Sequence, residues 1–398
     1  MQDFSWHIVR IFLLVCENKC IISCRESQSG DKYADMRNKR VLDNIDRNVS
    51  VARRIVRILL RFLAVVLTLL LVVIVALGCA MWVLAKGPSP TAQRLFIMTV
   101  RETSAMGFLA DIYLSSEEID LIMASGDQED EYIEQTDPGL ITLPSFDQDA
   151  PVRPLETDDE ETHEEEVFDD IELHEVTGNG YRGFMMIVRD PTRIFVATPS
   201  AYGGRGLTLM QMVSNTGAVA GINGGGFEDP TGSGTGGIPD GIVICDGRLL
   251  WGAGSGSGNV IGFDANGILH VGTMSPNAAM NLGLQHAVSF GPTLISNGVP
   301  QRMLHSGINP RTAIGQRADG AVLMLVVDGR QVDSLGATLG DLIEIFLDYG
   351  AVNAANLDGG SSTLMILNGD ILNVSASISG PRPLPTAFLV RPLTENDD

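Results

Sequence analysis

A stretch of 24 residues without a charged side chain, residues 62–85, restricts most strongly what this chain can fold into. At about 1.5 Å of rise per residue, an α-helix of this length spans roughly 36 Å, enough to cross the apolar core of a bilayer. The core helix of a soluble protein would carry a polar face, and this segment has none. The sequence therefore predicts one transmembrane helix at residues 62–85.

Flanking charge orients this helix. Eight Arg or Lys residues and two Asp residues lie between positions 37 and 61, whereas Lys86 is the only cation immediately after the helix. By the positive-inside rule, residues 1–61 form a cytoplasmic basic segment and the C-terminal part lies outside the cell, as in a single-pass protein of the cell membrane. A cleaved signal peptide is the alternative, although the apolar stretch is longer than usual for one. Met36 is an alternative candidate for the start of the chain.

The charge balance excludes several functions. The chain has 27 Lys and Arg against 49 Asp and Glu, a formal net charge of −22, which excludes nucleic acid as a partner. Its four lysines, Lys19, Lys32, Lys39 and Lys86, all precede position 87. A Schiff-base or P-loop lysine is therefore excluded from the rest of the chain. An anion there has to be held by Arg, by backbone N–H groups or by a metal.

Composition divides the outer part of the chain into four segments. Residues 86–125 carry an amphipathic pattern that predicts a helical stalk. Residues 126–176 contain a run from Asp127 to Glu175 with twenty Asp or Glu and one Arg, and we expect a disordered acidic linker there. Residues 177–392 have the composition of a folded domain, and residues 393–398 are a short tail.

Short β-rich runs separated by Gly, Pro, Asn and Asp dominate residues 177–392. Two helices are predicted among them, at residues 207–215 and 338–349, the second with Thr338 as a candidate N-cap. Strands with singly inserted helices indicate an α+β domain built on a mixed β-sheet. The strands are predicted at residues 184–190, 193–198, 218–223, 241–245, 259–264, 321–328, 363–367 and 386–391.

Generic functional motifs fail in this domain. The run Gly-Ser-Gly-Thr-Gly-Gly at residues 232–237 fits a dinucleotide-binding pattern, but Ile-Pro-Asp-Gly follows it and does not open a helix. The three histidines, His270, His286 and His305, have no metal-ligand spacing, so we expect each to be structural or exposed. Cys245 is the only cysteine here, which excludes a disulfide within the domain.

Three segments place polar side chains at the ends of strands beside glycines. They are INGGGF with the preceding glycine at residues 221–227, NPRTAIG at 309–315 with the VVDGR that ends the following strand, and NAANLDGGSS at 353–362. Glycine allows a ligand to approach the backbone closely, and polar groups at strand ends can converge on one pocket. The alternative is that each segment is a tight turn whose Asn or Asp caps its own backbone.

These segments and the TLGDLIEIFL helix resemble the phosphodiester glycosidase family, both in their amino-acid sequences and in their order along the chain, over about residues 177–392. The resemblance implies a hydrolase that cleaves a sugar from a sugar-1-phosphodiester. For a bacterial surface protein it implies a carbohydrate substrate, on a cell-surface polysaccharide, exopolysaccharide or other glycan. The family's Asp-Gly-Gly-Gly-Ser is Asp-Gly-Gly-Ser-Ser here. Either Ser361 or Ser362 could supply the hydroxyl, and spacing favours Ser362.

Site residues follow from the resemblance. We expect Asp358 to be the nucleophile or base, Asp328 the second carboxylate and Arg311 the phosphate clamp. The expected substrate-binding residues are Asn223, Gly225, Phe227, Gly359, Gly360, Ser361 and Ser362. The weaker candidates are Glu228, Asp229, Asp240 and Glu344.

No particular cofactor is required by the sequence. A divalent cation held by Asp328 and Asp358 is one alternative for the site. Two other classes of function stay open beside the enzyme: a non-catalytic glycan-binding module and a scaffold protein tethered at the cell surface.

Overall fold

The computed structural model describes residues 32–103, 106–124, 135–143, 166–168, 171–229, 234–302, 306–377 and 380–393. The chain divides into two compact units, with the boundary between Met81 and Trp82.

Helix α1 spans Lys32–Lys86. Its part Leu42–Lys86 is long and apolar enough to cross a membrane, with a mean hydropathy of 3.1 in its most apolar window and none of that window buried. Among the described residues it is the one helix that meets this criterion. The apolar helix predicted at residues 62–85 is therefore present.

Three short helices follow α1: α2 at Pro90–Arg101, α3 at Phe108–Tyr113 and α4 at Ser116–Ala124. Ser89 caps α2 by accepting a hydrogen bond from the Ala92 amide, and a proline occupies the first helical position, where no donor is lost. The apolar faces of these helices bury a small core of their own that includes Ile97, Val100 and Ile119.

The described residues of the second unit contain eighteen strands in three sheets, with every strand pair antiparallel. The strands are β1 Glu166–Phe168, β2 Ile171–Gly178, β3 Tyr181–Val188, β4 Ile194–Ala197, β5 Ala220–Asn223, β6 Val243–Cys245, β7 Arg248–Trp251, β8 Gly258–Phe263, β9 Leu269–Met274, β10 His286–Ser289, β11 Thr293–Ser296, β12 Val299–Pro300, β13 Arg311–Arg317, β14 Val322–Val327, β15 Ala351–Leu357, β16 Met365–Leu367, β17 Asp370–Ile371 and β18 Ala387–Val390.

The large sheet has the order β1-β2-β3-β14-β13-β15-β11-β12. The two smaller sheets have the orders β7-β6-β10-β8-β9 and β17-β16-β5-β18-β4. Helix α5 spans Leu209–Thr216, α6 spans Pro276–Asn281 and α7 spans Leu339–Asp348. Each of the eight predicted strands and both predicted helices is present, and the expected α+β class is confirmed.

The large sheet is buried on both faces, which explains the continuous apolar run of β14. Side chains alternate along a strand. Met324 and Val326 accordingly pack into the core shared with the smaller sheets, while Leu323 and Leu325 pack under α7. Helix α7 begins with a capping box in which Thr338 and Asp341 satisfy each other's backbone amides.

The prediction of a disordered linker over residues 126–176 is wrong for the part that the structure describes. Thr136 and Ile141 are buried, and the Thr136 hydroxyl accepts a hydrogen bond from the Val271 amide at 3.0 Å. Strand β2 starts at Ile171 and not at 177, because its apolar residues face the core. The remainder of the predicted linker, residues 126–134, 144–165 and 169–170, lies outside the described residues.

Candidate active site

The register of the large sheet brings the predicted site segments to one edge. Arg311 at the start of β13 pairs with Val327 at the end of β14, and its neighbour Thr312 pairs with Leu357 at the end of β15. Strand β5 of a smaller sheet ends close by, where the Gly224 carbonyl accepts a hydrogen bond from the Asp358 amide. These strand ends surround a cavity of about 500 Å³.

Asp358 lies in the wall of this cavity directly after β15. Its Oδ2 atom is buried and has no hydrogen-bond partner of ordinary geometry among the described residues. Burial raises the pKa of this carboxyl to about 7, against the opposing effects of Ser362 and Arg382. Near neutral pH the group therefore exists in both protonation states, as a catalytic acid or base requires.

The Gly-rich turn after Asp358 forms the next part of the wall. A side chain at Gly359 would come within 2.7 Å of the Pro310 carbonyl, and Gly360 has a φ of +61°, so both positions favour glycine. Ser361 lines the cavity and accepts a hydrogen bond from Arg382. Ser362 is buried beside Asp358, and its hydroxyl has no hydrogen-bond partner of ordinary geometry among the described residues.

Three expected substrate-binding residues lie behind the wall instead of in it: Ser362, Asn223 and Gly225. Asn223 is fully buried, donates from Nδ2 to the Asp358 carbonyl and accepts from the Thr312 hydroxyl and the Leu364 amide. Gly225 is buried against the Ser289 carbonyl, and its amide donates to the Thr386 hydroxyl. Asn223 and Gly225 therefore position the turns that line the cavity, whereas the neighbouring Phe227 reaches it.

Arg311 lines the cavity as expected, but its polar contacts are within the protein. Its Nε donates to the Ala337 carbonyl at 3.1 Å, and its Nη2 donates to the Gly307 carbonyl and to Glu102 Oε2 at 2.6 and 2.7 Å. Only 8% of Arg311 is exposed. A buried arginine that is already ion-paired with a carboxylate organises a site more than it offers a free cation.

Arg330, in the VVDGR segment, carries the uncompensated charge. Its Nη2 donates to two neutral oxygens, Thr103 Oγ1 at 3.0 Å and Asn309 Oδ1 at 3.2 Å. No carboxylate of the described residues forms an ion pair with it. Burial and the nearby Arg311 lower the pKa of this guanidinium, so an anion in the cavity would be favourable here.

A third arginine, Arg382, also lines the cavity. It is ion-paired with Asp229, and its guanidinium lies over the Phe227 ring at 4.9 Å from the centroid. Asp240 also lines the cavity, and burial together with Glu228 raises its pKa. Of the weaker sequence candidates, Glu228 and Glu344 are exposed.

Asp328 is not among the residues that line the cavity. It follows Val327, the cross-strand neighbour of Arg311, so side-chain alternation points it to the opposite face of the sheet. There Oδ1 accepts from Asn373 Nδ2 and the Val374 amide, and Oδ2 lies 3.6 Å from Arg182 Nε. The structure therefore does not bring Asp328 together with Asp358 in the cavity, and a catalytic role for it stays a prediction from the sequence.

The same geometry bears on a metal. A cation bridging Asp328 and Asp358 would need both carboxylates in one cavity, and only Asp358 lines it. Among the described residues one group of potential ligands has all its ligand atoms within 4.8 Å of one another: Cys245, Asp246 and His286. It lies on β6 and β10, outside the cavity lining, and burial lowers the pKa of His286 to about 4.

Sequence reasoning missed the site roles of Glu102, Arg330 and Arg382. Arg330 belongs to a quoted segment and could have been chosen from it. Arg382 lies in a Pro-rich loop without a motif, and Glu102 lies more than 200 residues before the arginine that it contacts. Nothing in the sequence around these last two residues indicates the contact.

Comparison with known proteins confirms the resemblance read from the sequence. Residues 216–391 match the model of a family described as phosphodiester glycosidase. This match covers β5 through β18 and so includes every strand whose end forms the cavity. The C-terminal domain is thus similar to the phosphodiester glycosidases.

Individual relatives agree with this family. The chain is 30% identical over 196 residues to the SPbeta prophage-derived uncharacterized protein YomE of Bacillus subtilis, covering 46% of this chain and 29% of YomE. It is 27% identical over 219 residues to the N-acetylglucosamine-1-phosphodiester alpha-N-acetylglucosaminidase of Mus musculus, covering 49% of this chain and 41% of the mouse protein. The chain thus spans less than half the length of these curated relatives.

Among solved structures, the catalytic domain of the zebrafish N-acetylglucosamine-1-phosphodiester alpha-N-acetylglucosaminidase, described as auto-inhibited by its pro-peptide, is similar with a TM-score of 0.48 and 23% identity. This similarity covers 56% of this chain and 82% of the zebrafish domain.

Proposed function

We propose that this protein is a membrane-anchored, outward-facing hydrolase that cleaves a sugar from a sugar-1-phosphodiester. The observation that carries the proposal is the Asp358 carboxyl, whose pKa of about 7 and unpartnered Oδ2 stand in a cavity lined by three arginines. A carboxyl that can be neutral or ionised near pH 7 can act as acid, base or nucleophile. Neighbouring cations can stabilise the phosphate as it leaves the anomeric carbon.

In this proposal the leaving group is a phosphomonoester, already a weak base, so strong acid catalysis is not required. Arg330 binds the phosphate, because it is the cavity arginine without a carboxylate partner among the described residues. Asp358 in its ionised form attacks the anomeric carbon or takes a proton from the attacking water. Asn223 and Ser362 hold the Asp358 turn from behind.

The part of the cavity lining formed by Phe227, Asp229, Ser361 and Arg382 is suited to a sugar. Phe227 presents an aromatic ring, and Ser361, Asp229 and Arg382 present hydroxyl, carboxylate and guanidinium groups that are already linked by hydrogen bonds. A mix of apolar surface and fixed polar groups is typical of small-ligand pockets. Because the mouse relative is named as acting on an N-acetylglucosamine-1-phosphodiester, we expect the same sugar or a close relative on a cell-surface glycan.

Helix α1 supplies the membrane anchor in this proposal. The basic residues before it, such as Arg53, Arg54 and Arg57, favour a cytoplasmic N-terminus and an external C-terminal domain. Protease treatment of intact cells tests the orientation: a C-terminal tag is removed from outside if the domain is external and survives if it is cytoplasmic.

Turnover is tested with the full chain in detergent micelles. The protein is incubated with methyl phosphodiesters of N-acetylglucosamine, glucose and mannose 1-phosphate, and free sugar and methyl phosphate are both quantified. Equal release of both products supports the proposal, and Asp358→Asn has to abolish it. Saturable binding of a substrate without release of sugar would instead favour the glycan-binding module, and neither binding nor turnover would favour a scaffold.

A further inference from the structure

The segment that follows helix α1 contributes a carboxylate to the cavity. Glu102, directly after α2, accepts hydrogen bonds from the Gly307 amide at 2.8 Å, from Asn309 Nδ2 at 3.0 Å and from Arg311 Nη2 at 2.7 Å. Its side chain is 30% exposed, so the carboxylate also faces the cavity. We call Glu102, Asn309, Arg311 and Arg330 together the arginine wall.

These contacts set the charge of the arginine wall. Arg311 and Arg330 contribute two positive charges, and they are close enough for Arg311 to disfavour the charged form of Arg330. Glu102 cancels one of them. Asn309 is neutral, and so is Thr103, whose hydroxyl accepts from Arg330. The arginine wall therefore presents a net charge of one to a bound anion.

The remaining charged groups of the cavity leave this balance unchanged. Arg382 and Asp229 also line the cavity, and they form an ion pair with each other. Asp240 lies beside Gly226, and Asp358 follows β15. These groups are the same in the wild type and in a variant changed at Glu102 alone, so the difference in charge that a bound anion meets is that of the arginine wall.

Substrate and product of the proposed reaction differ in charge. A phosphodiester carries one negative charge, whereas a phosphomonoester carries about 1.5 to 2 at pH 7. A wall with two net positive charges would bind the monoester far more strongly than the diester, because Coulomb energy scales with the product of the charges. Such a site would retain its own product.

We propose that Glu102 is a specificity-determining residue, which matches the arginine wall to the singly charged phosphodiester and promotes release of the doubly charged monoester. The inference rests on the proposed function for its choice of substrate and product. It adds that a residue directly after helix α2, outside the family-matched span of 216–391, takes part in anion selection.

Binding without turnover tests the inference separately from the proposed reaction. Phenyl phosphate, a dianion at pH 8, and methyl phenyl phosphate, a monoanion, lack a sugar and serve as probes for calorimetric titration of the full chain in detergent. In Glu102→Gln the net charge of the arginine wall rises by one. We expect phenyl phosphate to bind about tenfold tighter and methyl phenyl phosphate about threefold tighter, because the gain on a logarithmic scale follows the ligand charge.

The matched control is Asp111→Asn, which removes the same charge from an exposed ion pair with Arg101 outside the cavity lining. We expect it to change neither affinity. Because glutamine keeps only one of the two oxygens that accept hydrogen bonds from Gly307, Asn309 and Arg311, a second variant guards against local distortion. Glu102→Gln combined with Arg311→Gln removes both charges of the pair, and we expect it to restore the discrimination of the wild type while its melting temperature reports on folding.

Each possible result of these titrations either supports or overturns the inference. A larger gain for the dianion in Glu102→Gln, reversed in the double variant, supports the inference. Equal effects on both probes, weaker binding of both, or a double variant that fails to restore the ratio overturns it. A many-fold rise in diester hydrolysis with an unchanged ratio of affinities for the two probes would also overturn it, since Glu102 would then inhibit by blocking the cavity. If the charge effect appears but no sugar phosphodiester is ever cleaved, the proposed function fails and the charge assignment stands.

Discussion

The Thr312 hydroxyl donates a 2.7 Å hydrogen bond to Asn223 Oδ1, linking β13 of the large sheet to β5 of a smaller one directly beneath Asp358. Asn223 also donates from Nδ2 to the Asp358 carbonyl and accepts from the Leu364 amide. A single buried amide therefore fixes the position of the proposed catalytic turn relative to two sheets. Buried polar groups that are hydrogen-bonded to several elements in this way specify one arrangement of a core.

Asn223→Ala should impair both folding and turnover. The change leaves the Thr312 hydroxyl and the Leu364 amide buried without a partner, which costs about 2–4 kcal/mol of unfolding free energy. It also frees the Asp358 carbonyl, so we expect kcat to fall at least about tenfold while KM changes little. Urea unfolding and steady-state kinetics with the sugar phosphodiester measure the two effects.

Thr312→Val is the matched control for that variant, because it removes one hydroxyl and leaves Asn223 bonded to Asp358. We expect a loss of about 1 kcal/mol and a kcat close to that of the wild type. A kcat loss as large as that of Asn223→Ala would mean that the amide does not act through the Asp358 turn.

Asp358→Asn should abolish turnover and make the stability of the protein less dependent on pH. The folded pKa of about 7 lies above the ordinary aspartate value of 3.8, so the folded state holds its proton more tightly and this contribution to stability is lost as pH rises from about 4 through 7. Asparagine cannot ionise, so the variant should gain on the wild type by a few kcal/mol between about pH 4.5 and about pH 8. Urea unfolding at the two pH values measures the difference.

The same pKa fixes the direction of the pH–rate profile. If Asp358 acts as nucleophile or base, kcat/KM rises with pH through about 7, because only the ionised form is active. A profile that falls through this range would show instead that the protonated carboxyl is the active form. Asp240→Asn is a useful comparison, since removing a nearby negative charge lowers the Asp358 pKa and should move the rise to lower pH.

The sequence located the site better than it assigned the roles within it. Segments with polar residues after apolar strands predicted that Arg311, Asp328 and Asp358 would come together at one sheet edge, and the register of β13, β14 and β15 does this. Which face each side chain takes depends on pairing register, and one residue of difference sends Asp328 to the far side. A single sequence does not contain that register.

Strands β13 and β15 escaped prediction for a related reason. Asn353 and Asn356 lie inside β15, although Asn is depleted in strands. Each is buried and hydrogen-bonded to a distant backbone group: the Asn297 amide donates to Asn353, and Asn356 donates to the Gly291 carbonyl. The buried part of the acidic segment was missed likewise, since its overall charge conceals Thr136 and Ile141. Tertiary partners decided these elements, and composition does not show them.

Asp328→Asn should reduce stability and leave catalysis largely intact, contrary to the role expected from the sequence. Asn373 and Val374 both donate to Oδ1, an oxygen that asparagine keeps, so the change instead replaces Oδ2 by a donor that faces Arg182 and removes that ion pair, at a cost of about 1 kcal/mol. Because Asp328 does not line the cavity, we expect kcat/KM within about threefold of the wild type. Activity measured well below the melting temperature of the variant checks this, and a loss of a hundredfold or more would restore Asp328 to the catalytic set.

Arg330→Gln should weaken substrate binding more than any other single arginine change that leaves the fold intact. Charge-assisted hydrogen bonds to a phosphate contribute about 1.5–3 kcal/mol, so KM for the diester should rise by roughly 10- to 150-fold. Arg330→Lys keeps the charge but not the planar fork, and should recover only part of the loss. Arg, Gln and Lys all carry a β-carbon, so the left-handed backbone at φ +59° is equally disfavoured in each. Arg317→Gln provides the control, because Arg317 pairs with Asp319 outside the cavity lining. If Arg330→Gln behaves like Arg317→Gln in steady-state kinetics, the phosphate is bound elsewhere, and Arg311 or Arg382 has to take its place in the mechanism.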